Sequence, residues 1–175
     1  PVEKVEFIEF ATSPQDAPAL ETLLSATGFS RAGAHVSKPV TLWRQGGVNV
    51  LVNTDNSGFT HSSYVSHGTT VSEVALRVDD ARATHARARA LLAQDHAAHP
   101  QAGELASPAI RGVGGSVLRL LDAGTDLWAV DFRADATPDT GAGLTGIDHL
   151  GQTMAYDEML SWALFYAAIF DTRKA

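Results

Sequence analysis

The sequence has no cysteine, no apolar run long enough to cross a membrane, and few positive charges. Without cysteine, disulfides, zinc–thiolate sites, iron–sulfur clusters and cysteine nucleophiles are all excluded. A transmembrane helix needs about 18 or more consecutive apolar residues, and no such run occurs. With 13 Lys and Arg against 20 Asp and Glu, the formal net charge is -7, and no basic stripe is available for a nucleic-acid backbone. We therefore expect neither a membrane span nor a nucleic-acid partner.

The 175 residues, 45% of them hydrophobic, begin with a pattern that predicts one strand, one helix and three further strands. Residues 5–11 alternate polar and apolar side chains, which is typical of a strand with one buried face. Ser13 and Pro14 favour a helix start, and Gly28 favours a left-handed stop. Three short extended segments follow, the last two joined by a tight turn at Gln45-Gly46-Gly47: 30–36, 39–45 and 47–53. Residues 60–68 are interpreted as a loop.

The same β-α-β-β-β order then repeats, which is the most informative feature of the chain. Residues 71–78 predict a strand, and Asp79 or Asp80 caps a helix. After a loop over 95–108, strands are expected near 109–113, 116–122 and 126–133. A linker over 135–145 leads to a third opening strand at residues 146–150 and an apolar helix around 157–170. We expect modules at 1–69 and 70–134 to form a first barrel, and 146–175 to begin a second.

Serial modules of this kind resemble the vicinal oxygen chelate superfamily, in which two modules pair into a half-open, eight-stranded α+β barrel. Several segments are more specific and resemble the 4-hydroxyphenylpyruvate dioxygenase-like C-terminal domain of bacterial two-domain 3-dehydroshikimate dehydratases: 5–11, 37–46, 75–81, 108–116 and 147–154. The resemblance implies a separate N-terminal TIM-barrel domain that dehydrates 3-dehydroshikimate in quinate and shikimate catabolism, and a cytoplasmic location.

The resemblance also implies a metal site in the second barrel, made of two His and one Glu. His149, in Ile147-Asp148-His149, matches the first of these ligands. The other two belong to a fourth module that this chain does not contain, so we expect a divalent metal (Fe²⁺, or Mg²⁺ or Mn²⁺) only in the complete second barrel. In the first barrel the matching positions are Phe7 and Glu73, and the hypothesis allows one carboxylate there at most.

Other candidate residues favour structural interpretations. A metal site needs three or four convergent ligands, so His96 and His99, like His61 and His67, are interpreted as solvated loop residues. Glu73 is expected to face outward. Residues 112–116 lack the lysine and the helix of a phosphate loop, and they predict a turn with positive φ.

The three tryptophans are expected in the core, but the apolar helix that holds Trp162 needs cover on several sides. We therefore expect either a homodimer or a terminal helix that is partly disordered. Two classes of function remain open. The chain is a structural part of an enzyme that is inactive alone, or it is a fragment of a 2-oxo-acid-dependent non-haem iron dioxygenase of the 4-hydroxyphenylpyruvate type. A glyoxalase or bleomycin-resistance-type binding protein is a weaker alternative, because it would need ligands in the first two modules.

Overall fold

The alternating residues at the start of the chain form a long strand in the computed structural model, which describes residues 1–97, 99–136 and 141–173. The first unit follows the predicted order closely: β1 (Val2–Ala11), α1 (Ala17–Ala26), β2 (Ser30–His35), β3 (Val40–Gln45) and β4 (Val48–Asn53). The helix begins later than expected. Ser13 Oγ instead accepts the N–H of Asp16 at 3.1 Å in a turn that precedes α1.

The second unit contains more helix than the sequence predicts: α2 (Gly58–His67), β5 (Thr70–Val78), α3 (Ala81–Ala90), β6 (Ala109–Arg111), β7 (Val117–Asp122), α4 (Leu127–Asp131), β8 (Phe132–Ala134) and, after a single turn at Tyr156–Glu158, α5 (Met159–Phe170). The interpretation of residues 60–68 as a loop is wrong. Helix α2 buries none of its residues, so its sequence has no apolar stripe that could have indicated a helix.

All eight strands form one mixed sheet in the order β6-β7-β5-β1-β4-β3-β2-β8. Strand β1 is parallel to β4 and antiparallel to β5, and β5 is parallel to β7. The two units therefore repeat one arrangement and meet where β1 pairs with β5. Within the described residues, the end strands β6 and β8 do not pair with each other. The predicted α+β fold, with tandem units in a half-open eight-stranded sheet, is confirmed.

The strand assignment within the second unit needs correction. Because β7 is parallel to β5 as β4 is to β1, β7 takes the place of the fourth strand rather than the third. The second unit has no full strand that corresponds to β2 among its described residues. One antiparallel bridge between Asp95 and Ile110 lies at that position. The strand predicted over 126–133 is wrong, because the Asp126 side chain accepts the N–H of Ala129 and caps α4. Within this segment only the residues from Phe132 onward are extended. They belong to β8, which pairs with β2 of the first unit.

Helices cover one face of the sheet, and the opposite face encloses the interior. Helix α1 packs on β3 and β4, while α3 packs with β5 and β7. A third apolar cluster lies on the concave face: Phe7, Val40, Leu42, Leu51, Ala75, Leu121, Leu127 and Phe132. The turn predicted for 112–116 is confirmed as one 3₁₀ turn, in which Gly114 has φ 65°.

The chain beyond β8 returns to the first unit. Leu144 O accepts the N–H of Gly47 at 2.7 Å, a close approach that a side chain at position 47 would block. The strand expected at 146–150 is reduced to one bridge between Ile147 and Val5. Helix α5 buries Ile169 and Phe170 against the α3 side and exposes Leu160 and Leu164. Residues 137–140 of the predicted linker, and 174–175 at the end of the predicted second barrel, lie outside the described residues.

Candidate functional site: a charged cavity on the concave face

The concave face of the sheet encloses a cavity of about 280 Å³ to which both units contribute. Part of its wall is apolar and includes Phe7, Val40, Leu51, Leu127 and Phe132. The remainder is rich in ionisable groups: Glu9, His35, Lys38, Asp55, Glu73, His96, His99, Glu104, Arg119 and Asp131. Buried ionisable groups are uncommon unless they are paired or functional, so this wall is the candidate site.

Two carboxylates stand opposite each other at the centre of this wall. The register of β1 and β5 pairs Glu9 with Glu73 and Phe7 with Ala75. The alignment of the module openings at Phe7 and Glu73 counted one carboxylate, but Glu9 and Glu73 both line the cavity, so that count is wrong. Register shifts along β1 and β5, one of them between Val5 and Phe7, decide which residues face each other and leave no signal in sequence spacing.

Arg119 on β7 neutralises Glu73. Its Nη2 donates to Glu73 Oε2 at 2.9 Å, its Nε donates to Glu73 Oε1, and its Nη1 donates to Ser107 Oγ at 3.0 Å. Burial lowers the pKa of Arg119, but the adjacent Glu73 outweighs burial and raises it. Glu73 is only 7% exposed, so the expectation that it faces outward is wrong. Its partner lies 46 residues further along the chain, where no local pattern links the two.

Glu9 has no comparable partner. Its Oε1 accepts a hydrogen bond from Asn53 Nδ2 at 3.0 Å, and it forms no ion pair with any residue in the described ranges. Burial and the charge of Glu73 raise the pKa of Glu9 to about 7, against smaller opposing effects of Asn53, Arg119 and Lys38. We refer to Glu9, Asn53, Glu73 and Arg119 as the inner cluster.

The four members of the inner cluster occupy corresponding places in the two units. Glu9 pairs with Leu51 across β1 and β4, and Glu73 pairs with Val117 across β5 and β7. Asn53 and Arg119 each lie two residues further along, and each donates a hydrogen bond to the glutamate of its own unit. Relative to these glutamates, Asn53 and Arg119 therefore occupy corresponding places. The second unit holds a guanidinium where the first holds an amide.

A second ion pair, between Lys38 and Glu104, lies at one side of the cavity. Lys38 Nζ lies 2.8 Å from Glu104 Oε2, and Glu104 also accepts from the Ser37 hydroxyl and from the N–H of Gln101. Burial raises the pKa of Glu104, but these hydrogen bonds outweigh burial and lower the pKa to about 2. His35 Nδ1 accepts the N–H of Ser37 and Lys38, and burial is the main cause that lowers the pKa of His35. The segment around Glu104 is thereby attached to the turn between β2 and β3.

The predicted histidines are not brought together. His149 is 85% exposed in its side chain, and its Nδ1 is 2.9 Å from Asp148 Oδ2. His96 lies in the cavity wall against Phe59, which differs from the predicted solvated position, and burial lowers its pKa. His61 and His67 lie on α2.

Across residues 1–97, 99–136 and 141–173, no three His, Asp or Glu side chains converge in a metal-binding group. The described residues alone therefore do not form a metal-binding site.

A further group that the sequence did not reveal lies on the same strand as Glu9. Glu6 is 3% exposed, and its Oε2 accepts from Arg77 Nε at 2.8 Å while its Oε1 accepts from Trp128 Nε1 at 2.8 Å. Lys4 Nζ lies 3.0 Å from Glu6 Oε2. Burial raises the pKa of Glu6, but the three donors outweigh burial and lower the pKa to about 2. We refer to Lys4, Glu6, Arg77 and Trp128 as the Glu6 cluster.

Comparison with known proteins establishes the family. The family model described as hydroxyphenylpyruvate dioxygenase, HPPD, N-terminal, matches residues 1–133. The chain belongs to this family of HPPD-like N-terminal domains.

Two kinds of relative share this domain. The chain is 36% identical over 170 residues to a 3-dehydroshikimate dehydratase of Pseudomonas putida, covering 95% of the chain and 27% of that enzyme. It is also 36% identical over 178 residues to a 4-hydroxyphenylpyruvate dioxygenase of a Pseudomonas species, covering 97% of the chain and 48% of that enzyme. The chain thus spans about a quarter to a half of the length of these relatives.

A solved structure agrees with both relatives. The chain superposes with a TM-score of 0.87 and 36% identity on a xylose isomerase-like TIM barrel/4-hydroxyphenylpyruvate dioxygenase fusion protein, covering 98% of the chain and 27% of that protein. The resemblance to the HPPD-like region of two-domain dehydratases is therefore confirmed. No helix within the described ranges is long and apolar enough to span a membrane.

Proposed function

We propose that this chain is the supporting barrel of an HPPD-like region within a two-domain protein of quinate and shikimate catabolism, and that it carries no reaction of its own. In this proposal residues 1–69 and 70–134 are its two modules, 135–145 is a linker, and 146–175 begin the neighbouring barrel. The dehydration of 3-dehydroshikimate belongs to a separate TIM-barrel domain, and the protein is cytoplasmic.

The observation that carries the proposal is Arg119 in the inner cluster. A guanidinium has five donors and no lone pair to offer, so it cannot be a metal ligand. Arg119 occupies the place that corresponds to Asn53 and uses its Nε and Nη2 on Glu73. A bound metal cation would have to compete with this fixed positive charge for Glu73, so the Glu73–Arg119 pair favours a structural role over metal binding.

His149 is the residue that we propose as a metal ligand of the neighbouring barrel, where the rest of the longer protein supplies the other ligands. The proposed metal is Fe²⁺, Mg²⁺ or Mn²⁺, and when bound it would supply Lewis-acid chemistry to that barrel. The exposed ring of His149 is available to such a partner, since among the described residues its one hydrogen bond is from Nδ1 to Asp148. A homodimer that covers α5 remains part of the proposal.

The metal content of the full-length protein tests whether His149 is a metal ligand and Glu73 a structural residue. We expect His149→Ala to lower metal affinity at least about tenfold, whereas Glu73→Gln leaves metal content unchanged and lowers the melting temperature. His67→Ala, on the exposed end of α2, is the matched histidine control. Retention of metal in His149→Ala, or its loss in Glu73→Gln, would contradict the proposal.

The second candidate function is that of an HPPD-type dioxygenase fragment. It is supported by the identity of 36% that the chain shares with both kinds of relative. The two candidates differ in what the full-length protein consumes. Conversion of 3-dehydroshikimate supports the first proposal, and oxygen uptake with 4-hydroxyphenylpyruvate supports the second.

A further inference from the structure

The cavity wall carries more acid than base. Its ionisable side chains comprise five carboxyl groups and two permanent cations: Glu9, Asp55, Glu73, Glu104 and Asp131 against Lys38 and Arg119. Burial is the main cause that lowers the pKa values of His35 and His96, and it favours the neutral form of each ring. The cavity is therefore net acidic although it lies inside the sheet.

The two cations are already committed to two of these acids. Arg119 pairs with Glu73, and Lys38 pairs with Glu104. Glu9, Asp55 and Asp131 are left without an ion-pair partner among residues 1–97, 99–136 and 141–173. Asp55 instead accepts hydrogen bonds from the N–H and the hydroxyl of exposed Ser57. Glu9 receives one amide hydrogen bond, from Asn53. Asp131 is 7% exposed, and its Oδ1 receives the backbone N–H of Leu105 at 2.8 Å.

Asp131 is buried and Glu9 is half-buried, and a carboxylate withdrawn from water without a cation is unfavourable. Proteins normally avoid such a group by pairing or protonation. The raised pKa of Glu9 is the expected sign of such an environment. The groups that face it are Asn53 on β4, Glu73 on β5, Arg119 on β7 and Lys38 in the turn before β3. A guest cation would supply the missing partner.

The remaining wall indicates what kind of cation fits. Phe7, Val40, Leu51, Leu127 and Phe132 line the cavity beside the carboxyl groups, so an apolar body has a surface to contact. The volume of about 280 Å³ lies at the small end of ligand cavities, which commonly hold about 300–1,000 Å³. A route to solvent exists, because exposed Ser57, Gly58 and His99 also line the cavity.

We infer that this cavity is a binding site for a small organic cation, a primary amine on an aromatic or branched apolar body, with Glu9 and Asp131 as its anionic contacts. A bare metal ion is a poorer occupant, because the described residues offer no convergent metal-binding group. An anionic 2-oxo acid is also a poorer occupant, because it would meet the uncompensated carboxylates. The inference is independent of the proposed function and does not require a reaction in this barrel.

Three probes of one shape and different charge test the inference in the full chain. Benzylamine, benzyl alcohol and benzoate share a ring and differ in charge, and saturation-transfer NMR with calorimetry can rank their binding. At about pH 8, where Glu9 is mostly ionised, we expect benzylamine to bind at least about tenfold more tightly than either other probe. Equal or tighter binding of benzoate, or no binding of benzylamine at millimolar concentration, overturns the inference.

Isosteric variants test whether benzylamine binds at Glu9 and Asp131. Glu9→Gln and Asp131→Asn keep their acceptor oxygens for Asn53 and Leu105, so the fold is retained, and each should weaken benzylamine at least about tenfold. Glu3→Gln removes the same charge from an exposed position on the same strand and should change affinity less than about twofold. Unchanged affinity in Glu9→Gln, or an equal loss in Glu3→Gln, would place any binding outside the cavity and refute the assignment.

Discussion

Glu6 and Glu9 lie on the same strand, three residues apart, yet their surroundings differ in kind. Glu6 receives hydrogen bonds or ion pairs from Arg77, Lys4 and Trp128, and its pKa is lowered to about 2. Glu9 receives one hydrogen bond from a neutral amide and faces Glu73, and its pKa is raised to about 7. Partner number and charge, rather than burial alone, separate the two carboxyl groups.

The difference shows which buried charge holds the fold and which is available to a ligand. In the Glu6 cluster the one carboxylate has two cations, Lys4 and Arg77, and Arg77 Nη1 also donates to the carbonyl groups of Asp122, Ala123 and Thr125. The cluster therefore connects β1, β5 and the turn after β7. In the inner cluster Arg119 pairs with Glu73, and Glu9 has no cation. A carboxylate that has its own cations is a structural element, whereas one without a cation costs stability unless a guest compensates it.

The largest effect is expected for Arg77→Met. The substitution removes the fork that joins Glu6 to two carbonyl groups and leaves a carboxylate that is 3% exposed with weaker partners. Breaking one side of a buried pair costs about 3–5 kcal/mol. Chemical denaturation of the full chain should show this decrease in the free energy of unfolding, while Arg82→Met on the exposed side of α3 should change it by less than about 0.5 kcal/mol.

Acid titration gives a second readout of the same cluster. Because the folded pKa of Glu6, about 2, lies below the ordinary value of 4.5, its stabilisation is complete above pH 4.5 and is lost as pH falls toward 2. Arg77→Met should flatten this acid limb. An acid limb identical to that of the wild type would show that Arg77 is not what lowers the pKa.

Glu9→Gln should have a smaller effect of the opposite sign. The folded pKa of about 7 lies above the ordinary value of 4.5, so the folded state keeps the proton to higher pH, and stability falls as pH rises from 4.5 to 7. Glutamine cannot ionise. The variant should therefore match the wild type near pH 4 and exceed its free energy of unfolding near pH 8 by on the order of 3 kcal/mol.

Denaturation curves at the two pH values measure this difference, with Glu3→Gln as the exposed control. Equal stability of wild type and Glu9→Gln at both pH values would remove the contrast between the two carboxyl groups. A less stable variant near pH 8 would mean that a partner already compensates Glu9.

The order of elements was predictable because it depends on local pattern. Alternation over residues 5–11 and the Gly46-Gly47 turn predict β1 and the β3–β4 hairpin, and both form at these positions. Helix α2 was missed because it buries no residue, so the hydrophobic pattern that marks most helices is missing. The 126–133 segment was misread because Asp126 caps a short helix within an otherwise strand-like run.

The candidate site was much less predictable, because it depends on register and on distant pairs. Glu9 faces Glu73 only after the bulges in β1, and Glu73 finds Arg119 only through the parallel pairing of β5 with β7. Arg77 and Trp128 reach Glu6 across 71 and 122 residues. His149 was accessible to sequence reasoning through a family resemblance, but its proposed partners are not among the described residues.

Lys4→Met should have the smallest effect and sharpens the comparison most. Lys4 and Arg77 contact the same oxygen, Glu6 Oε2, at 3.0 and 2.8 Å, but their side chains are 58% and 9% exposed. A solvated ammonium gains little from an ion pair, so the loss should stay below about 1 kcal/mol and shrink further in salt. Denaturation at low and high salt measures both quantities. If Lys4→Met costs as much as Arg77→Met, then net charge near Glu6 controls stability rather than the buried fork, and a soluble cation could replace either residue. A small, salt-sensitive loss instead means that the position and burial of a cation determine how much it contributes to stability. For the same reason, a guest amine can stabilise ionised Glu9 only from inside the cavity.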